Sequence, residues 1–289
     1  MSYNSIDKIL KKCEKQGISF ADAIINDDMY ERKVSREDTI NKMQVMWDAM
    51  LSANSSYDRE LFSKSGLVGS CGGIMEDYSH NEDTFCGSFV NDVMARALKM
   101  GESNACMKRI VAAPTAGACG VLPAVLTACY EKRNFTNDQI IEALFVAGGI
   151  GQVIASRAFI AGALGGCQAE IGSASAMAAG ALVALKGGSP TQIANAAAIA
   201  LKNLLGLVCD PVAGLVEVPC VKRNVIGAIN ALSAADMSLA GVISIIPFDQ
   251  VVDAMREVGE NMDEKFRETG LGGLAATNVA SEIYKNLKN

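Results

Sequence analysis

Between Ser88 and Ala163 alanine and glycine become dense and charged residues thin out. No run of β-branched residues is long, and apolar–polar alternation with a period of two never persists beyond a few residues. A chain of this kind is restricted to helices packed at close range, because small side chains let helices approach one another and give a pleated sheet little to bury. Half of the 289 residues are apolar and 20% are charged, so there is material for a large core and too much of it for disorder. We therefore expect a mainly α fold: a compact helical domain over residues 61–289, with glycine-rich loops, preceded by an N-terminal helical extension over residues 1–60. In that extension Ile40, Met43, Val45, Met46 and Met50 surround Trp47 with charges between them, the pattern of surface helices.

Local signals place some helix starts. Asn137 and Asp138 precede Ile140, Ser189 and Pro190 precede Ile193, and Asp249 precedes Val251, each with capping or first-turn chemistry. From Ser63 to Cys86 the pattern breaks into glycine and serine and then the acidic run Glu76 to Asp83, which predicts a long loop with turns. The glycines at Gly148 to Gly151 lie inside an apolar run and predict close helix packing rather than ligand binding. No glycine cluster ends in the Lys-Ser/Thr of a phosphate loop, and none has the dinucleotide spacing between a clear strand and helix.

Several functional classes fall away on charge and hydropathy. Lys plus Arg number 26 against 32 Asp plus Glu, a formal net charge of −6, which gives no attraction to nucleic acid or to an anionic membrane surface. The apolar stretch from Ile140 to Cys167 is interrupted by Glu142, Gln152 and Arg157, and Ala174–Leu185 is too short to span a bilayer. With no apolar leader at the N-terminus, a cytoplasmic location is expected, where disulfides are improbable.

That expectation leaves nine cysteines to explain: Cys13, Cys71, Cys86, Cys106, Cys119, Cys129, Cys167, Cys209 and Cys220. Cys106, Cys119 and Cys129 sit in apolar context and are expected in the core. Cys167, Cys209 and Cys220 each stand at a break in helical patterning, among Gly165-Gly166, Asp210-Pro211 and Pro219. Their separation excludes a compact zinc ribbon or the tight ferredoxin run. It leaves open both buried structural cysteine and three distant thiolates able to hold three irons of a cluster.

Four segments carry a family resemblance. Leu204-Leu-Gly-Leu-Val-Cys209-Asp-Pro-Val-Ala-Gly-Leu-Val-Glu-Val-Pro-Cys220-Val-Lys-Arg-Asn224 resembles the iron–sulfur-dependent L-serine dehydratases, the L-serine ammonia-lyases. So do Val111-Ala-Ala-Pro-Thr-Ala-Gly-Ala-Cys-Gly120, Gly165-Gly-Cys-Gln-Ala-Glu-Ile-Gly-Ser-Ala-Ser175 and Arg267-Glu-Thr-Gly-Leu-Gly-Gly-Leu-Ala275. The resemblance is to the separate alpha-chain form. It implies a helical catalytic domain with its glycine-rich loops around a cluster site, a [4Fe–4S] cluster on Cys167, Cys209 and Cys220, a beta-chain partner, an oligomer, and an amino acid substrate deaminated to pyruvate and ammonia. The open iron would act as Lewis acid on the β-hydroxyl.

By the same resemblance Thr115 and Gly117 form a loop suited to binding a carboxylate. Lys222 and Arg223 follow Cys220 and would offset cluster charge or bind a carboxylate. Glu170 and Asp210 would orient substrate or accept hydrogen bonds, and no general base stands out, since the single histidine, His80, lies in an acidic, solvent-like run. Cys71 lies in a glycine loop from which it could reach an open iron. The chain departs from the family where the usual Asn-Ala-Ser-Ile-Ser-Gly becomes Arg157-Ala158-Phe159-Ile160-Ala161-Gly162, and where Ser-Gly-Leu-Thr-Gly-Gly becomes Ser65-Gly66-Leu67-Val68-Gly69-Ser70. Changed polar positions at Arg157, Phe159 and Ala161 raise two alternatives: a lyase for threonine or cysteine, or a cluster-binding subunit without turnover. No tail cysteine capable of capping the cluster is expected from Asn286 to Asn289.

Overall fold

The computed structural model describes residues 2–81 and 83–288; Glu82 of the acidic run, Met1 and Asn289 lie outside them. Among the described residues the chain is helical throughout, with no strand and only two isolated bridges, Phe62 to Gly69 and Cys209 to Arg267. The first three helices are α1 (Ile6–Gln16), α2 (Phe20–Arg32) and α3 (Arg36–Ser55). Ser5, Ser19 and Ser35 cap their N-termini, Ser35 in a full capping box with Asp38, so each start is written in the local sequence. Their apolar faces do not stand apart: Ile6, Ile9, Phe20, Ile24 and Trp47 are buried in the same core as the later helices.

The centre of that core is α9 (Ser173–Leu185), a helix of mostly alanine, glycine and serine whose residues are nearly all buried. Around it stand α6 (Val121–Arg133), α7 (Asn137–Arg157), α10 (Pro190–Lys202) and α11 (Cys220–Leu239). Small residues on α9 let four neighbours approach at once. Gly149 on α7 serves the same end, because a Cβ there would meet Ile24 Cδ1 at 2.5 Å. The packing role expected for Gly148 to Gly151 is what the structure shows. Helix α7 is long and apolar enough to cross a membrane by composition, yet most of that apolar length is enclosed in the core.

The Ser63–Cys86 segment differs from the loop expected there. Residues Cys71–Ser79 form α4, packed on α5 (Gly87–Ala105). The cap comes from a residue distant in sequence: the buried carboxylate of Glu102 on α5 accepts from the backbone of Cys71 at 2.8 Å and of Gly72 at 3.0 Å. Ser70 stands at the N-cap position, but with φ +61° its side chain makes no cap hydrogen bond, and tertiary structure supplies the acceptor instead.

The expected starts at Asn137 and Ser189 are found, with Thr136 and Ser189 as N-caps. Asp249 lies in the first turn of α12 (Phe248–Glu260), but its side chain serves another helix. It accepts from Ser5 Oγ at 2.7 Å, Ile6 N at 2.8 Å and Asp7 N at 3.2 Å, fastening α1 to α12. Replacing Asp249 by alanine removes these acceptors and should cost about 1–2 kcal/mol of stability. Denaturant unfolding measures the cost, and hydrogen exchange should show faster amide exchange concentrated in α1.

Candidate active site

Cys167, Cys209 and Cys220 reach one place by three different routes. Cys167 precedes a single π turn, Gln168–Gly172, that runs directly into α9; such turns widen a helix and re-aim its side chains. The short helix α8 (Gly162–Gly165) and Gly166 lead into it. Gly166 has φ +74°, and a Cβ there would lie 2.8 Å from the carbonyl oxygen of Leu207, so only glycine fits this entry. Gln168, fully buried, then pins the opposing segment: its backbone N–H donates to Leu207 O at 3.0 Å and its Oε1 accepts from Gly206 N at 2.9 Å.

Cys209 is strapped by residues from the far end of the chain. Its N–H donates to Phe266 O and its carbonyl accepts from Glu268 N, both at 2.8 Å. Cys220 opens α11 and is buried. Asn224, one turn later and 1% exposed, ties Cys220 to the glycine loop. Its Oδ1 accepts from Gly120 N at 2.8 Å, and its Nδ2 donates to Gly117 O at 2.9 Å and Cys220 O at 3.0 Å. The glycine loop, the Cys220 turn and α11 are thereby one rigid unit.

The sulfurs of Cys167 and Cys209 and a carboxyl oxygen of Glu170 all lie within 4.8 Å of one another. Cys220 falls outside that tight group but is near enough for the charge on Cys167 to act on it. The Cys209 thiol beside it, and then the Arg223 guanidinium, hold Cys167 below the ordinary thiol range. Cys209 is driven the other way, by its hydrogen bond to Cys167 and by burial. Cys220 is pushed up to about 12, mainly by burial and next by the charge on Cys167. Burial also raises Glu170, outweighing the nearby Thr115 hydroxyl and Gly162 backbone. Two thiols and a carboxyl at this spacing are a group of ligand atoms able to share a positive centre.

The walls of the site approach it closely at two glycines. A Cβ on Gly162 would sit 3.0 Å from both Cys209 Sγ and Glu170 Oε2, and one on Gly117 would sit 3.1 Å from Glu170 Oε2. Thr115 Oγ1 and Arg267 Nε are buried without hydrogen-bond partners. Orphaned polar atoms are rare in protein interiors, and here one belongs to the glycine loop and the other to the strap on Cys209.

The structure treats the residues singled out from sequence unequally. Thr115 and Gly117 both stand beside Glu170. Arg223 is inside: its Nη1 donates to Val208 O and its Nη2 to Asp210 Oδ1, each at 2.8 Å. Asp210 in turn accepts from Leu274 N at 2.8 Å, so its role is to hold Arg223 and the C-terminal segment. Lys222 is exposed, and it acts on Cys71 rather than on the sulfur group. Cys71 itself neighbours Glu102, and His80 is exposed at the end of α4. Cys119 and Cys129 are buried as expected, while Cys106 is only partly so.

The family departures turn out to have structural partners. Arg157 pairs with Asp253 on α12 at 2.6 Å and donates to Asn4 O at 3.2 Å. The Phe159 ring lies against Gly165 and Gly259, and the carbonyl of Ala161 accepts from Leu164 and Gly165 at 3.1 Å. Asn224, Gln168 and Arg267 stand within the family-like segments, but sequence alone assigns them no role. Asn224 has a further signal, since it stands four residues after Cys220 and so shares its helix face.

With this geometry in place, the comparisons with known proteins decide the family. A family model described as serine dehydratase alpha chain matches residues 15–275. The chain belongs to the serine dehydratase alpha chain family. It is 45% identical over 285 residues to a probable L-serine dehydratase, alpha chain, of Bacillus subtilis (strain 168), covering 99% of this chain and 95% of that one. It is 43% identical over 284 residues to the L-serine dehydratase, alpha chain, of Peptoniphilus asaccharolyticus, covering 98% and 97%. An L-serine dehydratase of Escherichia coli (strain K12) is 37% identical over 287 residues, 94% of this chain but 61% of that longer one. Within this family the Asn224 bridge is a structural test of the site. Asn224→Ala leaves the Gly120 N–H and Gly117 carbonyl without their buried partner and should cost about 2–4 kcal/mol, read by denaturant unfolding of the metal-free chain.

Proposed function

We propose that this chain is the alpha subunit of an L-serine ammonia-lyase that holds a [4Fe–4S] cluster on Cys167, Cys209 and Cys220 and converts L-serine to pyruvate and ammonia. The observation that carries the reading is the convergence of two buried thiols and a half-buried carboxyl within 4.8 Å, with a third buried thiol beside them, in a chain whose relatives bear the name L-serine dehydratase. The donor set suits iron and sulfide. The orphaned Thr115 and Arg267 atoms suit an occupant with acceptors of its own, and Gly117 and Gly162 bring the backbone close to Glu170 and Cys209. When bound, the cluster supplies a Lewis-acidic iron that makes hydroxide a tractable leaving group.

The chain's own residues supply the remainder. Arg223, 11% exposed and held by Asp210, offsets the negative charge of thiolate ligands. To the Thr115 hydroxyl and the backbone of Gly117, both beside Glu170, we assign the binding of the substrate carboxylate. Glu170, raised by burial, is the residue we assign to hold or pass a proton at its carboxyl oxygens. Arg157 is paired with Asp253 and the Phe159 ring lies against Gly165 and Gly259, whereas Ala161 adjoins Gly162 at the site; serine is the substrate proposed, with threonine or cysteine as the alternative. The partner we propose is a beta chain: the two relatives of nearly equal length are named as alpha chains, and the Escherichia coli relative carries additional sequence in the same polypeptide.

A second reading is favoured by the same tight group: a single metal ion on Cys167, Glu170 and Cys209, with Cys220 outside. Anaerobic reconstitution separates the two. The cluster reading expects about four irons and four sulfides per chain, lost on Cys220→Ser and kept on Glu170→Gln while pyruvate formation from L-serine falls at least 100-fold. Loss of metal on Glu170→Gln but not on Cys220→Ser would establish the mononuclear site instead. Turnover is measured with the beta chain present, and metal content with and without it.

A further inference from the structure

A second polar cavity, of about 410 Å³, opens on the opposite side of α5 from the sulfur site. Ala97 and Gly101 on α5 face the glycine loop and Val221 beside Cys220, whereas Arg96 and Lys99 line the cavity with residues of α3 and α6. Three cations and three carboxylates surround it: Arg59, Arg96 and Lys99 against Glu76, Asp92 and Glu131. The pairs are made across the walls. Arg96 donates through Nε to Asp92 at 2.6 Å and through Nη2 to Glu131 at 2.7 Å, and Lys99 pairs with Glu76 while its Nζ lies 5.4 Å from the Tyr57 ring centroid.

Two atoms in these walls are left over. Arg96, whose side chain is 8% exposed, has a buried Nη1 with no acceptor, and Asn54 has a buried Oδ1 with no donor. An unpartnered guanidinium nitrogen and an unpartnered carbonyl at one cavity are complementary to a ligand offering an acceptor and a donor together. A simple anion would meet Asp92 and Glu131, and a simple cation would meet Arg96 and Lys99. A molecule carrying both signs satisfies each wall with no net repulsion. Apolar lining is confined to Ala95, the Tyr57 ring and side-chain stems, so the ligand is small and polar.

We infer that this cavity is a second binding site for a small α-amino acid in its zwitterionic form, carboxylate toward Arg96 and Lys99 and ammonium toward Asn54, Asp92 and Glu131. It is separate from the sulfur site and does not require the activity proposed above.

L-alanine is the probe, since it has no β-hydroxyl to eliminate and binds without turnover. Calorimetric titration of the full-length, chelator-treated chain should show one saturable equivalent in the millimolar range, with acetate and methylammonium failing to compete. Asn54→Ala should weaken binding at least 10-fold, and because that carbonyl has no partner its removal should leave the unfolding midpoint unchanged or raised. Glu131→Gln should weaken binding similarly, whereas Thr115→Val at the sulfur site should not. Three results would overturn the inference: no saturable binding, meaning that ordered water alone fills the cavity; binding abolished by Thr115→Val but not by Asn54→Ala; or acetate competing as well as L-alanine.

Discussion

Arg223 is the group on which the sulfur site most depends. Three thiols and a carboxyl are gathered in a helical interior where burial disfavours their charges, and the largely buried Arg223 guanidinium is the cation that acts on Cys167 and Cys220. Its own position is fixed twice over, by the Val208 carbonyl and by Asp210, and Asp210 is fixed by the Leu274 backbone. The consequence is that the C-terminal segment, the Cys209 strand-like stretch and the start of α11 are coupled through one cation. Breaking a buried pair of this kind leaves a charge without compensation, which costs more than the pair contributes. A site so arranged has thiols whose ionisation is set by one another, by burial and by Arg223.

The packing of the core serves the same end. Helix α9 is nearly featureless in side-chain chemistry, and that is why it can be surrounded on all sides. The π turn at its N-terminal end places Cys167 and Glu170 among α8, α10, α11 and α12, so that the polar site is built on rigid elements although its residues come from loops and turns. Asn224 extends that rigidity to the glycine loop by satisfying backbone groups that neither loop nor helix can satisfy alone.

The helical class of this fold is legible in the sequence because alanine-rich helices leave a local signature, and caps such as Ser35, Thr136 and Ser189 are local chemistry. Helix α4 was not legible, since its cap is a glutamate supplied by α5. The use of Asp249 to hold α1, rather than only its own helix, is invisible for the same reason. The family motifs singled out the three cysteines that the fold brings near one another, but nothing in residue order distinguishes Arg223, turned inward onto Asp210, from its exposed neighbour Lys222. The meaning of Arg157 was likewise hidden: a cation in place of a polar residue suggests altered specificity until its partners, Asp253 and the Asn4 carbonyl, are seen.

Two buried glutamates show how far this chain relies on long-range acceptors. Glu102 takes hydrogen bonds from Cys71, Gly72 and the Tyr57 hydroxyl, the last at 2.7 Å. Glu217, 8% exposed, takes them from Ser63 at 3.0 Å and from Ser65. Between them they fasten both ends of the segment Ser63–Gly72, one end to the turn that carries Cys220 and the other to α5. A carboxyl group is a costly anchor in an interior, and an apolar contact would hold the segment more cheaply. What the carboxyl adds is direction, because its oxygens accept only from donors placed in their plane. Leu67 and Val68 are then carried onto Val218 and Val221, the residues flanking Cys220. The altered Ser65–Ser70 stretch thus keeps a defined seat beside the sulfur site, held by hydroxyls and backbone amides that its substitutions leave intact.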